Sequence, residues 1–115
     1  MTNCPFCKRI DAYDYEESYN QFVVRFEPLN PVTPGHMLFV PTEHCEHRTS
    51  LGTEEIRAAV SYAHSYARHR DDDFNIITSS GSSATQTIPH IHVHYVPRRP
   101  DDGLALPWTP KVSLP

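Results

Sequence analysis

The strongest constraint on this chain is an alternation: Pro89-His90-Ile91-His92-Val93-His94-Tyr95-Val96-Pro97. Imidazole and apolar side chains that alternate residue by residue point to a strand, whose successive side chains face opposite sides. The histidine stretch is therefore expected to be a strand, preceded by Gln86 and Thr87, with His90, His92 and His94 on one face and Ile91, Val93 and Tyr95 on the other. A strand rises about 3.3 Å per residue, which puts neighbouring histidines roughly 6–7 Å apart and the outer pair about 13 Å apart. Metal–imidazole bonds are only about 2.0–2.1 Å long, so one ion does not take all three. The three imidazoles must have different tasks.

The setting for these tasks is small. A chain of 115 residues makes one domain, and with 38% hydrophobic residues its core is modest. A metal ion or a partner chain would reinforce it. The net charge of −4 argues against a general nucleic-acid binder, which needs a basic stripe, but not against a small phosphorylated ligand. An odd cysteine count of three and the absence of an apolar leader suit a reduced, cytoplasmic protein. No apolar run approaches the roughly 18 residues of a membrane span.

Residues 1–10 read as a metal knuckle around Cys4-Pro5-Phe6-Cys7, and residues 11–18 as an acidic surface turn. Strands are expected over 21–26, 36–41 and 74–79, where β-formers or unbroken apolar runs occur. Between the second and third, Thr53 can cap a helix with Glu54 and Glu55 in its first turn, and Ile56, Val60, Ala63 and Ala67 form its core-facing stripe. Ser80–Thr85 is a small-residue loop able to bring amides near an anion. The proline-rich residues 98–115 read as an extended arm. Strands flanking one helix imply an α+β fold with a sheet covered on one face.

Cys4 and Cys7 have the spacing to clamp a zinc ion, and a closed Cys2His2 set would be structural. The histidine candidates are His36, His44, His47 and His90. His44, just beyond a buried strand, and His90, at the start of the histidine strand, are favoured, with His47 as a substitute and Cys45 as a weaker one. His92 is then free to act as a nucleophile on phosphorus or carbonyl carbon, provided an acceptor such as a backbone carbonyl holds its other nitrogen protonated. His94 can polarise a phosphate oxygen, and Gln86 and Thr87 offer it polar contacts. His36 fits either a core or a catalytic role, and Arg98 and Arg99 fit a solvated turn.

The run His90–Val96 resembles the histidine-triad signature, with Gln86-Thr87 matching the family's Gln-Ser/Thr pair. Pro31–His36, followed by an apolar strand and Pro41-Thr42-Glu43-His44, resembles its second hallmark. Cys4-Pro5-Phe6-Cys7 is similar to the zinc-bearing branch related to galactose-1-phosphate uridylyltransferases. The resemblance implies a single HIT domain over 1–115, with an antiparallel five-stranded sheet, one main helix and an N-terminal zinc knuckle, usually as a homodimer. It implies cleavage of a nucleoside 5′-phosphate from a leaving group through a nucleotidyl-histidine, the substrate being a purine nucleotide or conjugate such as a phosphoramidate or dinucleoside polyphosphate. The alternative is a zinc-stabilised nucleotide-binding module with little or no turnover. By position, His92 is the nucleophile, His94, His36 and Thr87 assist it, and Gln86 contacts phosphate. Leu29 and Asn30 line the nucleoside pocket, and Cys4, Cys7, His44 and His90 hold structural zinc. Trp108 matches an aromatic residue that some members carry in a C-terminal arm. Pro28 stands where many members place a ribose-binding Asp or Asn, which moves that contact to Glu27. Thr85 replaces a common glycine, and Ser79 stands where many members have Asn or Gln.

Overall fold

The computed structural model describes residues 3–109. Met1 and Thr2 of the expected knuckle and residues 110–115 of the expected arm lie outside them. Seven elements carry the architecture: α1 (Pro5–Asp11), β1 (Glu17–Tyr19), β2 (Val23–Phe26), β3 (Met37–Pro41), α2 (Ser50–Ala67), β4 (Asp73–Ile77) and β5 (Val93–Arg98). The five strands form one sheet in the order β1-β2-β3-β5-β4, every neighbouring pair antiparallel. The expected α+β fold is thus the observed one, and β5 lies between β3 and β4.

Period two divides the sheet into two faces. Val23, Phe39, Val93 and Tyr95 turn toward α2 and bury against Ala59, Ala63 and Ala67. These small helical residues let the helix lie close to the sheet, while Tyr66 meets the edges of the Phe39 and Tyr95 rings. The opposite face carries Val24, Phe26, Leu38 and Val40, packed with Cys4 and Phe6 from the start of α1. His94 lies on this second face, directly opposite Leu38 on β3 and Ile77 on β4. Burying the aliphatic and aromatic side chains of both layers contributes on the order of 1.5–3 kcal/mol each.

Several expectations shift. The knuckle is a helix: Cys4 is its N-cap, and its sulfur accepts the amide of Cys7, with Pro5 supplying a preset φ in the first turn. The expected turn over 11–18 ends in a short edge strand at Glu17, because Glu16, Glu17 and Ser18 pair along β2 in spite of their polarity. The main helix begins one turn earlier than expected, with Thr49 rather than Thr53 as N-cap; its hydroxyl accepts the Gly52 amide. Glu54 and Glu55 therefore lie beyond the first turn. The core stripe is rotated as well, with Ala59 fully buried and Ile56 and Val60 only partly so. The histidine strand is shorter than expected: β5 starts at Val93, so His90 and His92 precede the ladder. Past the end of β4, the Thr78 hydroxyl donates to the His92 carbonyl, which lies just before β5. At its other end β5 includes Arg98, the first residue assigned to the arm.

Gly52 shows why α2 starts where it does. A Cβ there would collide with the Glu46 carbonyl oxygen and come within 2.6 Å of the His47 carbonyl oxygen. The helix start is thus pressed against the 46–47 backbone. Gly52→Ala is expected to destabilise the chain by about 2–3 kcal/mol, as overpacking against an immovable backbone does. Thermal unfolding followed by circular dichroism checks this; an unchanged midpoint would disprove the close approach.

Candidate functional site

Two side-chain clusters meet at His90. The first comprises Cys4, Cys7, His44 and His90, whose ligand atoms all lie within 4.8 Å of one another. The Cys4 sulfur is 3.3 Å from His90 Nδ1, and the Cys7 sulfur is 3.3 Å from His44 Nδ1 and 3.5 Å from His90 Nδ1. In a tetrahedral site with bonds of about 2.0–2.3 Å, neighbouring ligand atoms stand about 3.3–3.8 Å apart. The His90 Nε2–H donates to the Pro41 carbonyl at 2.7 Å, which leaves Nδ1 with its lone pair toward the sulfurs. Burial and then Cys4 push the Cys7 thiol up to about 11, since two adjacent thiolates repel unless a cation lies between them. Donor set, spacing and outer hydrogen bond all fit a metal ion, and the cluster can hold one. His47, the substitute ligand, stays outside the cluster, its Nε2 buried with no hydrogen-bond partner among the described residues.

The second cluster is His36, His92 and His94. The His92 Nδ1–H donates to the His90 carbonyl at 2.7 Å, so Nε2 carries the lone pair. Phe6 stands edge-on to the His92 ring at 5.1 Å and holds its plane, and the His94 ring lies 5.1 Å away. A backbone amide determines the tautomers of the other two. The Val32 N–H donates to His36 Nδ1 at 3.1 Å, so in neutral His36 the proton is on Nε2. That nitrogen is 2.9 Å from His94 Nδ1 and donates to it, which leaves His94 with an Nε2–H. One neighbouring imidazole therefore offers a lone pair and the other an N–H, a combination suited to attack on a phosphoryl group whose oxygen needs a donor.

Both rings are neutral at ordinary pH. Burial lowers the pKa of His36 and of His92, and burial with repulsion from His92 and His36 lowers His94 to about 4. These rings line a cavity of about 730 Å³ walled by Phe6, Phe26, Leu29, Leu38 and Ile88, with Asn30 and Thr87 as uncharged polar members and Lys8, Arg9 and Asp14 as charged ones. The structure thus brings together His92, His94, His36, Thr87, Leu29 and Asn30. Ser79 lines a second cavity of about 370 Å³, which His36, His92 and His94 also border. Glu27 is exposed and lines neither cavity; only its carbonyl is engaged, by Arg9. Gln86 is also absent from both walls. Its amide oxygen accepts from Gly81 N–H and its amide nitrogen donates to the Ile88 carbonyl, clipping the loop before the histidines.

Sequence reasoning missed Phe6 and Arg9. Both lie on α1, read only as a knuckle; Phe6 braces His92 and Phe26, and the Arg9 guanidinium stacks on Phe26 at 4.0 Å. Their spacing of three, on a helix capped by Cys4, was the available signal. It also missed the Val32 amide, which no side-chain pattern reveals.

The chain belongs to the HIT domain family, whose model matches residues 18–101. The matched stretch contains the three histidines of the second cluster and leaves out Cys4 and Cys7. Over the wider chain, the Protein hit of Bacillus subtilis is 33% identical across 92% of this chain and 79% of its own length. Adenosine 5′-monophosphoramidase HNT1 of Saccharomyces cerevisiae is 27% identical across 91% of this chain and 69% of its own. The bis(5′-adenosyl)-triphosphatase of the same yeast is 27% identical across 73% of this chain and 42% of its own. A solved structure of a hypothetical protein from Leishmania major superposes with a TM-score of 0.75 at 31% identity, covering 96% of this chain and 85% of that one. Family members thus include enzymes acting on adenosine phosphoramidates and on dinucleotides. No helix among the described residues is long and apolar enough to cross a membrane.

The low pKa of His94 ties stability to pH. Its ordinary value is 6.5 and its value in the fold is about 4, so the unfolded chain binds the proton first. Its contribution is complete above about pH 6.5 and is lost as pH falls toward 4, about 3 kcal/mol in all. Thermal midpoints measured from pH 7.5 to 4 should decline through that window, and less steeply in His94→Gln. Parallel declines in the two proteins would remove His94 as a cause.

Proposed function

We propose that this chain, acting as one domain in the cytoplasm, is a hydrolase or transferase that cleaves a nucleoside 5′-phosphate from its leaving group through a nucleotidyl-histidine. The observation that carries the reading is the bond from His92 Nδ1–H to the His90 carbonyl, which presents Nε2 as a lone pair beside the N–H of His94. The apolar walls of the larger cavity, with Leu29 and Asn30, suit a purine nucleoside. In the first step His92 Nε2 bonds to the α-phosphorus. The bond to the leaving atom breaks, its electron pair stays with that atom, and the atom takes a proton from cavity water. His94 Nε2–H donates to a phosphoryl oxygen, His36 holds His94 in that tautomer, and Thr87 offers its hydroxyl to the same phosphate. In the second step water adds to phosphorus, the P–N bond breaks with its pair returning to Nε2, and the proton that water loses balances the one taken up earlier. The printed activities of the two yeast relatives support phosphoramidates and dinucleoside polyphosphates as the substrate classes to try.

Cys4, Cys7, His44 and His90 are proposed to hold structural zinc, as in the zinc-bearing branch. The closed Cys2His2 donor set supports this, since it leaves no position for substrate. Zinc bound there would cross-link the start of α1, the segment after β3 and the segment before β5. The expected homodimer belongs to the same reading.

His92→Asn is expected to lower turnover of an adenosine 5′-phosphoramidate by at least about 10³-fold, because removing a covalent nucleophile removes the pathway rather than one interaction. Rapid quench of the wild-type chain with radiolabelled substrate should trap an acid-labile nucleotide on the protein. Undiminished turnover in His92→Asn would end the proposal. Separately, the double variant Cys4→Ser/Cys7→Ser should lose its zinc, measured by plasma mass spectrometry against about one ion per wild-type chain, and unfold at lower temperature. Full zinc occupancy in that variant would reject the assigned ligands.

A further inference from the structure

The end of α1 meets two cavities of opposite character. Lys8 and Arg9 border the larger histidine-lined cavity. Ile10, Asp11 and Tyr13 border a separate groove of about 530 Å³, which Tyr15, Ser18 of β1 and Val24 of β2 help to close. No residue of this groove lines either cavity beside the histidines. A ligand held here is therefore independent of the hydrolase reading.

Charge narrows what fits. The acids around this turn are unequally committed: Asp14 pairs with Arg9 at 3.2 Å and Glu16 with Arg25 at 3.2 Å. Asp11 is exposed and has no ion-pair partner among the described residues. No lysine, arginine or histidine lines the groove, so the Asp11 carboxylate gives it an uncompensated negative charge. An anion is repelled there and a cation attracted.

The aromatic side chains narrow it further. The Tyr13 and Tyr15 ring centroids are 6.3 Å apart, with the planes tilted by 56°. A ring attracts a cation lying within about 6 Å of its centroid, so a single cation can reach both rings. Tyr13 is 80% exposed and belongs to neither core layer, yet its backbone is fixed in the left-handed region at φ 56°. Its amide donates to the Ile10 carbonyl at 3.1 Å and the next amide, of Asp14, to the Arg9 carbonyl at 2.8 Å, so the turn that ends α1 holds it from both sides. Glycine is the usual residue where a helix ends in this way, because L side chains disfavour that conformation. Core packing does not account for a large ring kept there in solvent; a ligand laid against it does.

We propose that this groove binds a small quaternary ammonium compound of the choline type, with its trimethylammonium group against Tyr13 and Tyr15 and its charge facing Asp11. A primary ammonium is compact and strongly hydrated, and it would lose that water against the rings and against Ile10 and Val24. Methyl groups suit both the ring faces and the aliphatic wall, and the charge spread over them still meets the carboxylate.

The test is isothermal titration of the full chain with choline, with its neutral carbon isostere 3,3-dimethylbutan-1-ol, and with ethanolamine. Choline should bind saturably, and at least about tenfold tighter than either comparison compound, the scale of a cation shared by two rings and a carboxylate. Asp11→Asn and Tyr13→Ala should each weaken choline binding by at least about fivefold, and Tyr13→Phe, which keeps the ring, should leave it within about twofold of wild type. Asp11→Asn and Tyr13→Phe preserve side-chain shape, and thermal midpoints by circular dichroism report that each variant is folded. Absence of saturable choline binding, equal affinity for the neutral isostere or for ethanolamine, or choline affinity unchanged in Asp11→Asn each overturns the proposal. A peptide bearing trimethyllysine is the competing occupant, and tighter binding of that peptide than of choline overturns the small-molecule assignment.

Discussion

His90 is the residue on which the rest of the site depends. It is committed at three points at once. Nε2–H donates to the last carbonyl of β3, Nδ1 faces the two sulfurs at the start of α1, and the carbonyl accepts the proton of His92 Nδ1. Each bond defines the next. The Pro41 carbonyl selects the tautomer of His90, that tautomer aims a lone pair at the cysteine sulfurs, and the fixed backbone orients His92. A buried imidazole with unassigned protons would cost free energy and lose orientation, and here no ring nitrogen of His90 is left unpaired.

A second chain of the same kind runs from the backbone inward. The Val32 amide, in the loop rich in proline, assigns His36, and His36 assigns His94. The two chains converge on neighbouring rings with complementary nitrogens, both held neutral by burial. Positioning of this sort costs no reorganisation when charge develops, which is where fixed dipoles outdo water. The Cys4, Cys7, His44 and His90 cluster, which can hold a metal ion, adjoins the segment of the proposed nucleophile.

Much of this was legible in the residues. Period two in 90–97 identified the strand and its apolar face, and Tyr95 and Val93 do bury against the helix. The Cys4, Cys7, His44 and His90 grouping followed from spacing and from where strands end, and the four do converge. The start of α2 was missed because Thr49 and Thr53 are equally good caps locally. Only the packing of Gly52 on the 46–47 backbone decides between them. The apolar stripe of α2 was misjudged for a similar reason. Alanine carries little hydrophobic signal, yet Ala59 is the residue that admits the sheet. Gln86 looked like a phosphate ligand, but its amide closes a loop that sequence spacing does not describe.

By itself the sequence determined what is periodic or local: the two faces of the sheet, the paired cysteines at one helix start, and the presence of more imidazole than a single metal ion can use. Those properties follow from backbone geometry repeated residue by residue. Only the tertiary structure decided which nitrogen of each ring carries a proton, where the second cavity opens, and that Arg98 is spent on Asp102. Such choices depend on hydrogen bonds between segments far apart in the chain, and a bond between distant segments leaves no pattern in either one.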